Sequence, residues 1–573
     1  MNNREMADTF EAVANLMEIK GEAIYRILAY RRAAEALRGL GRDVSAIWEA
    51  GELEDIPGVG KAIAGKIDEM IRSDRLEFYE KLASEIPPGL IELLKVDGIG
   101  PKKVAQFWKE GGITSLEELE SAAKEGKLRS LSGMGPKSEQ KIIDGIQALK
   151  SRSTERSLLS SAWDTAQKII SEMNKVKGVE RIEPAGSLRR YRETIGDLDL
   201  LIASDYPSQV MDTFVALPLV ERVLGKGDTK TSVELVDGMR VQLWVHPPER
   251  FGSAWQFATG SQAHNVQLRE IALKKDLSLS EHGYKRDDGS ELLCRKESDV
   301  YEALDLAWIP PELREGKGEI AKAQNADFSD LVTLNDLRGE LHAHTTWSDG
   351  KASIEEMAQA AIGLGMEYLV ISDHSRSLGI ANGLSIERLM EQRAEIGEVQ
   401  KTLGKKIHIL HGSEVEIMSD GTLDFPDEIL EQLDIVIASL HTSLKQSRKQ
   451  VTLRLLNTIR NPHVDIIGHL TGRLINRRDP ADLDVEAILK EGATHNVVFE
   501  INANAERLDL KDSHARMALD FGCTLAINTD AHHPDHFNFR HFGVGTARRA
   551  AAPAQSILNT WVFKDLEAWL KHR

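Results

Sequence analysis

From Asp336 to the C-terminus, short apolar runs (EYLVIS, DIVIASL, DIIGHL, VVFEIN, TLAINTD) alternate with helical stretches, and the runs end in or beside histidines and carboxylates. That strand–helix rhythm predicts a βα barrel, whose strand ends converge on one mouth. The side chains gathered there are His342, His344 and Asp349 (GELHAHTTWSDG), His374 (ISDHS) and Glu414 (GSEVEI). His441 (ASLHTS), His469 (IGHLTG), and Asp530 with His532 (INTDAHH) complete the set. A lone buried histidine is ordinarily a hydrogen-bonded core residue. Imidazoles and carboxylates repeated at successive strand ends are instead a donor set for Zn²⁺ or Mn²⁺. Asp373, Glu500 and Asn502 fit supporting or substrate positions as well as packing ones, while His411, His463 and His495 read as structural.

A chain of 573 residues exceeds one hydrophobic core and predicts several domains. Residues 1–85 show apolar spacing of amphipathic helices (DTFEAVANLMEI, EAIYRILAYRRAAEAL), and 86–150 continue as helices broken by glycine turns. Three strings in this region, IPGVGKAIAGKI, VDGIGPKKVAQF and LSGMGPKSEQKI, share an apolar-x-Gly-apolar-Gly core followed by a helix. They resemble helix-hairpin-helix units, whose glycines admit a DNA phosphate to the backbone and whose helix N-terminus presents free N–H groups to it. One such string is weak; three leave little room for plain helix joints. The chain carries a net charge of −18, and residues 1–150 hold 22 Lys/Arg against 26 Asp/Glu. That excludes indiscriminate polyanion binding, but backbone contacts of this kind need little charge.

The N-terminus has no basic-then-apolar leader, and no run of eighteen apolar residues occurs, so a cytoplasmic protein without membrane contact is expected. The two cysteines, Cys294 and Cys523, form no disulfide framework. Strand-like runs (RIEPAG, DLDLLIAS, MRVQLWVHP) place a mixed α/β region at 151–315, and the polar stretch from Pro310 reads as a connector. Within it, GSLRRYRETIGDLDL puts Gly186 and Ser187 at a helix start, with Arg190 close by. Asp197 and Asp199 alternate on a strand and face one side, about 7 Å apart. Two such carboxylates suit Mg²⁺-assisted phosphoryl transfer on a nucleotide.

These motifs together resemble the bacterial family X DNA polymerases fused to a PHP (polymerase and histidinol phosphatase) domain. The resemblance implies a multidomain α plus α/β chain. Its parts are a lyase-like helical domain (1–85), a fingers-like helix-hairpin-helix region (86–150), a nucleotidyltransferase palm (151–250), a thumb (251–315), a linker (316–335) and a distorted βα barrel, the PHP domain (336–573). FATGSQAHNVQLR resembles the family's nucleotide-contact segment, which puts Phe257 and Ala258 at sugar-sensing positions and Asn265 and Arg269 at base and minor-groove positions. Lys66 falls where lyase-active members place a Schiff-base lysine; a DNA-phosphate contact or an ordinary surface lysine is the plainer alternative. For the barrel, the resemblance implies a site for up to three Mn²⁺ or Zn²⁺ ions, with Glu414 bridging two of them.

One position departs from the family. Its third palm carboxylate belongs to a pattern close to V-D-L-R-V, and here Val241-Gln242-Leu243-Trp244-Val245 stands instead. Glutamine neither holds Mg²⁺ strongly nor accepts a proton at neutral pH. Reading Asp237-Gly238 as a two-residue hairpin turn sets Val233 opposite Gln242 and turns Glu234 to the far face. The expectation is therefore a DNA-repair nuclease acting on gapped, nicked or 3′-ended DNA, with 3′–5′ exonuclease and further abasic-site or end-cleaning activities. Deoxynucleoside triphosphate with Mg²⁺ would bind at the palm, polymerisation would be weak or lost, and the protein would be a monomer. An active gap-filling polymerase, a histidinol-phosphatase-like small-molecule enzyme and a non-catalytic DNA scaffold are the alternatives.

Overall fold

The computed structural model describes residues 1, 3–40, 43–56, 58–96, 99–151 and 156–571. Two compact units divide at Thr154 and Glu155. The first is all helical. Asn3–Lys20 packs against Ile24–Gly39, and Met6, Phe10, Val13, Met17 and Leu37 line their shared core. The three glycine strings share one backbone bond: Val59, Ile99 and Met134 each donate their N–H to the carbonyl three residues back, at 2.9, 3.1 and 3.1 Å. Gly60, Gly100 and Gly135 then open the helices Lys61–Ser73, Pro101–Gly111 and Pro136–Ser151. A Cβ added at any of these three glycines meets nothing within 4 Å. The turns thus face open space, and internal packing is not what requires glycine there. Pro57, Asp97 and Gly98 of these strings lie outside the described residues.

The second unit contains a five-stranded sheet in the stretch expected as the palm. Its strands are β1 (Arg181–Pro184), β2 (Asp197–Ala203), β3 (Val220–Lys226), β4 (Lys230–Leu235) and β5 (Arg240–His246), in the order β1-β2-β5-β4-β3. Strands β2 and β5 run parallel and the other pairs antiparallel. One face is buried (Leu198, Leu200, Val233, Val241, Leu243) against the helix Leu159–Met173. The opposite face carries Asp197, Asp199, Lys230, Glu234, Gln242 and Trp244, all half-buried.

The β4–β5 hairpin corrects the expected register. Leu235 and Met239 close a three-residue loop in which Gly238 sits at φ +82°, and the Asp237 side chain accepts from the Met239 N–H at 3.0 Å. A type I turn followed by a left-handed glycine adds one residue to the two-residue loop that Asp-Gly suggests. Ser232 therefore pairs with Gln242, and Glu234 with Arg240. Glu234 shares the face of Gln242 rather than pointing away from it.

The thumb follows, with helices Phe251–Thr259 and Gln262–Leu273, a small antiparallel sheet and the helix Glu297–Glu302. The stretch 316–335, expected as a linker, belongs largely to this body. Ile320, Ala323, Phe328 and Leu331 enter the thumb core beside Leu268 and Tyr301, and Glu319 bonds the buried His264 at 2.7 Å.

Seven parallel strands form the last body: β6 (Gly339–Ala343), β7 (Tyr368–Ile371), β8 (His408–Glu416), β9 (Ile435–Ser439), β10 (Ile466–Ile467), β11 (Val498–Asn502) and β12 (Leu525–Asn528), paired in chain order. The first and last meet through the parallel bridge Ala343–Ala531, so the sheet nearly closes into a barrel. Helices such as Ile354–Gly363 and Ile386–Leu403 cover the outside. Palm and barrel share a core, because Ile475, Ala505, Leu508 and Phe542 of the barrel side join the palm's apolar cluster. No helix among the described residues is long and apolar enough to cross a membrane.

Candidate metal centre and palm pocket

At the barrel mouth all nine side chains singled out in the sequence come together. Glu414, fully buried on β8, is the hub. Its Oε2 lies 2.9 Å from His374 Nδ1, 3.4 Å from His342 Nε2 and 3.5 Å from His344 Nε2. Its Oε1 lies 2.9 Å from His469 Nε2 and 3.2 Å from His441 Nε2. Asp530 Oδ1 is 3.0 Å from His344 Nε2, and Asp349 Oδ1 is 3.3 Å from His532 Nε2 and 3.7 Å from His374 Nε2.

These contacts resolve into three overlapping groups: His344, Asp349, His374 and His532; His342, His344, Glu414 and Asp530; and His374, Glu414 and His441. Despite the short separations, both Glu414 oxygens, Asp530 Oδ1, His342 Nε2, His344 Nε2, His374 Nδ1 and His469 Nε2 are buried without a hydrogen-bond partner among the described residues. Buried polar atoms are ordinarily satisfied. Lone pairs converging on common points without bonding one another are the arrangement a cation completes, so the residues fit a resident metal.

Electrostatics agree. Burial alone would lower His441 and His532, yet Glu414 and Glu416 raise the first to about 9, and Asp349 with Asp530 raises the second to about 9. Burial would raise Asp349, but His532 and its neighbours bring it down to about 2. The carboxylates thus attract positive charge that protons supply when metal does not.

Ring orientation is fixed from behind. Glu500 Oε1 bonds His342 Nδ1 at 2.7 Å, and Glu416 Oε2 bonds His441 Nδ1 at 2.7 Å. Each leaves Nε2 facing the centre. Asn502 donates to Asp530 Oδ2 at 3.2 Å. Asp373 accepts from the backbone N–H and hydroxyl of Thr345 (2.8 and 2.7 Å), from Ser348 Oγ (2.5 Å) and from Gln392 (2.5 Å), which shapes the loop between His344 and Asp349. Sequence reasoning missed Glu416, although its spacing of two from Glu414 on one strand was a usable signal. It also missed Arg507. That guanidinium approaches Asp530 Oδ2 at 3.9 Å, and its Nη1 is buried without a hydrogen-bond partner among the described residues. His411 lies on the other face of β8, its ring nitrogens without a hydrogen-bond partner among the described residues, and burial lowers it to about 4.

The palm holds a second site, a pocket of about 530 Å³ between sheet and thumb, lined by Gly186, Ser187, Arg190, Asp197, Asp199, Phe257, Ala258, Asn265 and Arg269 among others. Gly186 (φ +56°) is required here, since a Cβ would lie 2.2 Å from Asp199 Oδ2. Burial and the neighbouring Asp197 push Asp199 up to about 7. Gln242 stands beside Asp199 on the paired strand and donates its amide to Asp197 Oδ2 at 2.5 Å. Glu234 does not replace the missing carboxylate: it lies two strands, about 10 Å, from Asp197 and is clasped by Arg222 at 3.1 Å.

Several of the expected nucleotide contacts are engaged within the protein. Arg190 donates to the Thr259 carbonyl and pairs with Glu315 at 3.3 Å, and Asn265 holds the Phe257 carbonyl at 2.9 Å. The helix opened by Gly186 is a single turn, Gly186–Arg189. In the first unit, Lys66 lies over the Phe78 ring, 4.8 Å from its centre.

Fold and sites together define the class: helix-hairpin-helix modules, a nucleotidyltransferase palm with its thumb, and a PHP barrel in one chain. Comparison with known proteins matches four stretches of the chain to family models. Residues 1–76 match a helix-hairpin-helix domain, 90–148 a SAM-like helix-hairpin-helix tandem, 254–315 the DNA polymerase beta thumb and 340–504 the PHP domain. The DNA polymerase/3'-5' exonuclease PolX of Bacillus subtilis (strain 168) is 37% identical over 574 residues, covering 100% of both chains. This chain belongs to that family, the bacterial family X DNA polymerases with a C-terminal PHP domain. DNA polymerase lambda of the rat is 26% identical over 345 residues, covering 55% of this chain and 56% of its own. A probable phosphatase of Thermoanaerobacter sp. (strain X514) is 30% identical over 250 residues, covering 41% of this chain and 94% of its own.

Proposed function

We propose that this protein is a DNA-repair phosphodiesterase that shortens or cleans DNA 3′ ends at the barrel mouth and has lost most of its polymerase activity. The observation that carries the reading is Glu414, a buried carboxylate ringed by five imidazoles. His342, His344, Asp349, His374, Glu414, His441, His469, Asp530 and His532 would hold up to three Mn²⁺ or Zn²⁺ ions. Bound there, the ions supply Lewis-acid polarisation and charge neutralisation for phosphodiester hydrolysis. Glu500 and Glu416 fix the faces of His342 and His441, and Arg507, beside Asp530, is assigned a contact to a substrate phosphate. The glycine turns opening at Gly60, Gly100 and Gly135 would hold the DNA backbone without regard to sequence. Lys66 is assigned a phosphate contact there.

The palm pocket supports a second, narrower role: binding a deoxynucleoside triphosphate with Mg²⁺ on Asp197 and Asp199. Gln242, an amide donor in place of a base, keeps that site from extending a primer at a useful rate. The helix-hairpin-helix modules favour DNA over a small phosphate ester as substrate.

The test uses 5′-labelled gapped DNA with Mn²⁺. The native chain shortens the labelled strand, and His344→Ala, with an unchanged circular dichroism spectrum, loses at least about 100-fold of that rate. No shortening by the native chain, or full shortening by the variant, would overturn the assignment.

A further inference from the structure

Charge is distributed unevenly around the barrel mouth. From Leu440 to Arg478, the stretch that supplies His441 and His469, the chain carries eight Lys/Arg against a single acid, Asp465, although its net charge is −18. Asp465 does not offset them at the surface, since it is 9% exposed and accepts the Val436 N–H at 2.8 Å. Five of the eight cations are engaged within the protein. Arg448, Arg460, Arg473 and Arg477 pair with Asp482, Glu491, Glu193 and Glu506 at 3.9, 2.6, 2.8 and 3.1 Å, and Arg454 donates to the Ile417 carbonyl at 2.6 Å. Lys445, Lys449 and Arg478 are exposed and form no ion pair among the described residues.

These three lie on two loops that start at candidate ligands and touch each other. Lys445 is four residues beyond His441, within about 14 Å of it along the chain. The N–H and hydroxyl of Thr442 tie the start of that loop to Glu416 at 3.0 and 2.6 Å. On the second loop, Gly472 donates its N–H to the His469 carbonyl at 2.8 Å, and Arg478 Nε donates to the Gly472 carbonyl at 2.8 Å. A Cβ built on Gly472 would lie 3.2 Å from Leu444 Cδ2, and Leu444 immediately precedes Lys445. Lys445 and Arg478 therefore belong to neighbouring turns. Lys449 stands in the first turn of the helix Arg448–Ile459, which holds no acid there. A cation at a helix N-terminus works against the helix dipole, so local stability does not account for it. Burial and then the charge of Arg507 lower Arg478, and Arg507 is itself 3.9 Å from Asp530. Like charges are thus gathered beside the mouth instead of being dispersed, the footprint of a polyanion.

We propose that Lys445, Lys449 and Arg478 form a basic rim that holds the phosphate backbone of the strand being shortened. This rests on the reading of the mouth as a DNA 3′-end nuclease and adds a DNA contact on the barrel itself, besides the glycine turns of the helical unit. Phosphate contacts of this kind fix position without reading sequence, and their strength falls as salt rises. A small diester has no flanking phosphates for the rim to hold.

The test measures kcat/KM with Mn²⁺ for full-length chains on a 5′-labelled single strand and on bis-p-nitrophenyl phosphate, over a series of salt concentrations. Two triple variants carry equal charge changes. One is Lys445→Gln with Lys449→Gln and Arg478→Gln at the rim; the other is Lys401→Gln with Lys405→Gln and Lys406→Gln, near the end of β8 opposite Glu414. The rim variant is expected to lose roughly tenfold or more on DNA near about 0.1 M salt, to show a log–log salt dependence shallower by about 2, and to keep the native rate on the small diester. Lys445→Gln with Lys449→Gln alone, which leaves the Arg478 bond in place, falls between native and triple variant. The control variant keeps native rates. A rim variant with native rate and salt dependence on DNA, or a control that loses as much, overturns the rim while leaving the nuclease reading standing. An equal loss on the small diester also overturns it, because the cations would then serve the centre itself. A native chain that hydrolyses the small diester but no DNA overturns both.

Discussion

At the scale of single residues, Gln242 separates the two halves of this molecule. On the paired strands Asp199 faces Gln242, and the amide reaches Asp197 at 2.5 Å. A carboxylate at 242 would repel Asp197 until metal arrived; glutamine instead bonds it, so the palm is settled without a catalytic ion. Gln242→Asp is therefore expected to raise single-nucleotide extension on gapped DNA by about 100-fold or more, the range a positioned general base supplies. Trp244, against which Lys230 stacks at 4.1 Å, stays in the place of the family's arginine, so recovery falls short of a complete site. Extension that does not rise, under conditions where nucleotide binding is seen by fluorescence, would overturn the reading that Gln242 limits extension.

At the scale of elements, much was legible in the sequence where local pattern and burial coincide. The barrel strands show as apolar runs because both faces of a parallel sheet are covered. The three glycine strings show because each turn repeats one backbone bond. Other elements were hidden for physical reasons. Residues 316–335 look like a linker because polar residues dominate, yet four apolar side chains suffice to seat the segment in the thumb. Arg507 bears no ligand signature, and only the approach of its loop to Asp530 reveals it. The β4–β5 hairpin misled because Asp-Gly signals a turn without fixing its length; the left-handed glycine at position 238 sets it at three residues. That conformation makes a specific demand. A Cβ at Gly238 meets nothing within 4 Å, so any cost of substitution comes from φ alone. Gly238→Ala is expected to cost about 1 kcal/mol in urea unfolding, and Gly238→Asn less. Equal costs for the two variants would argue against the three-residue loop.

At the scale of the whole second unit, buried charge fastens the barrel to palm and thumb. Arg549, on the barrel's helix Arg540–Arg549, donates to Glu315 at 2.8 Å, to Asp512 at 2.7 and 3.0 Å, and to the Arg190 carbonyl at 2.8 Å. Arg190, which lines the palm pocket, also pairs with Glu315. One carboxylate thus joins the pocket wall to the barrel. Burial alone would raise Glu315, but Arg549, Arg190 and Arg192 overcome it and lower it from the ordinary 4.5 to about 2. An acid held below its unfolded value adds stability that is fully present above about pH 4.5 and is lost as pH falls toward about 2, worth up to about 3 kcal/mol. Glu315→Gln removes that contribution and leaves two buried arginines short of a counter-charge. The variant is expected to melt well below the native chain at pH 7, and the gap should narrow steadily as pH falls below about 4.5, where the native carboxylate also begins to take up its proton. A gap that stays constant from pH 7 to pH 3.5 would mean that Glu315 acts by shape and packing, and that its charge is not what ties the palm pocket to the barrel.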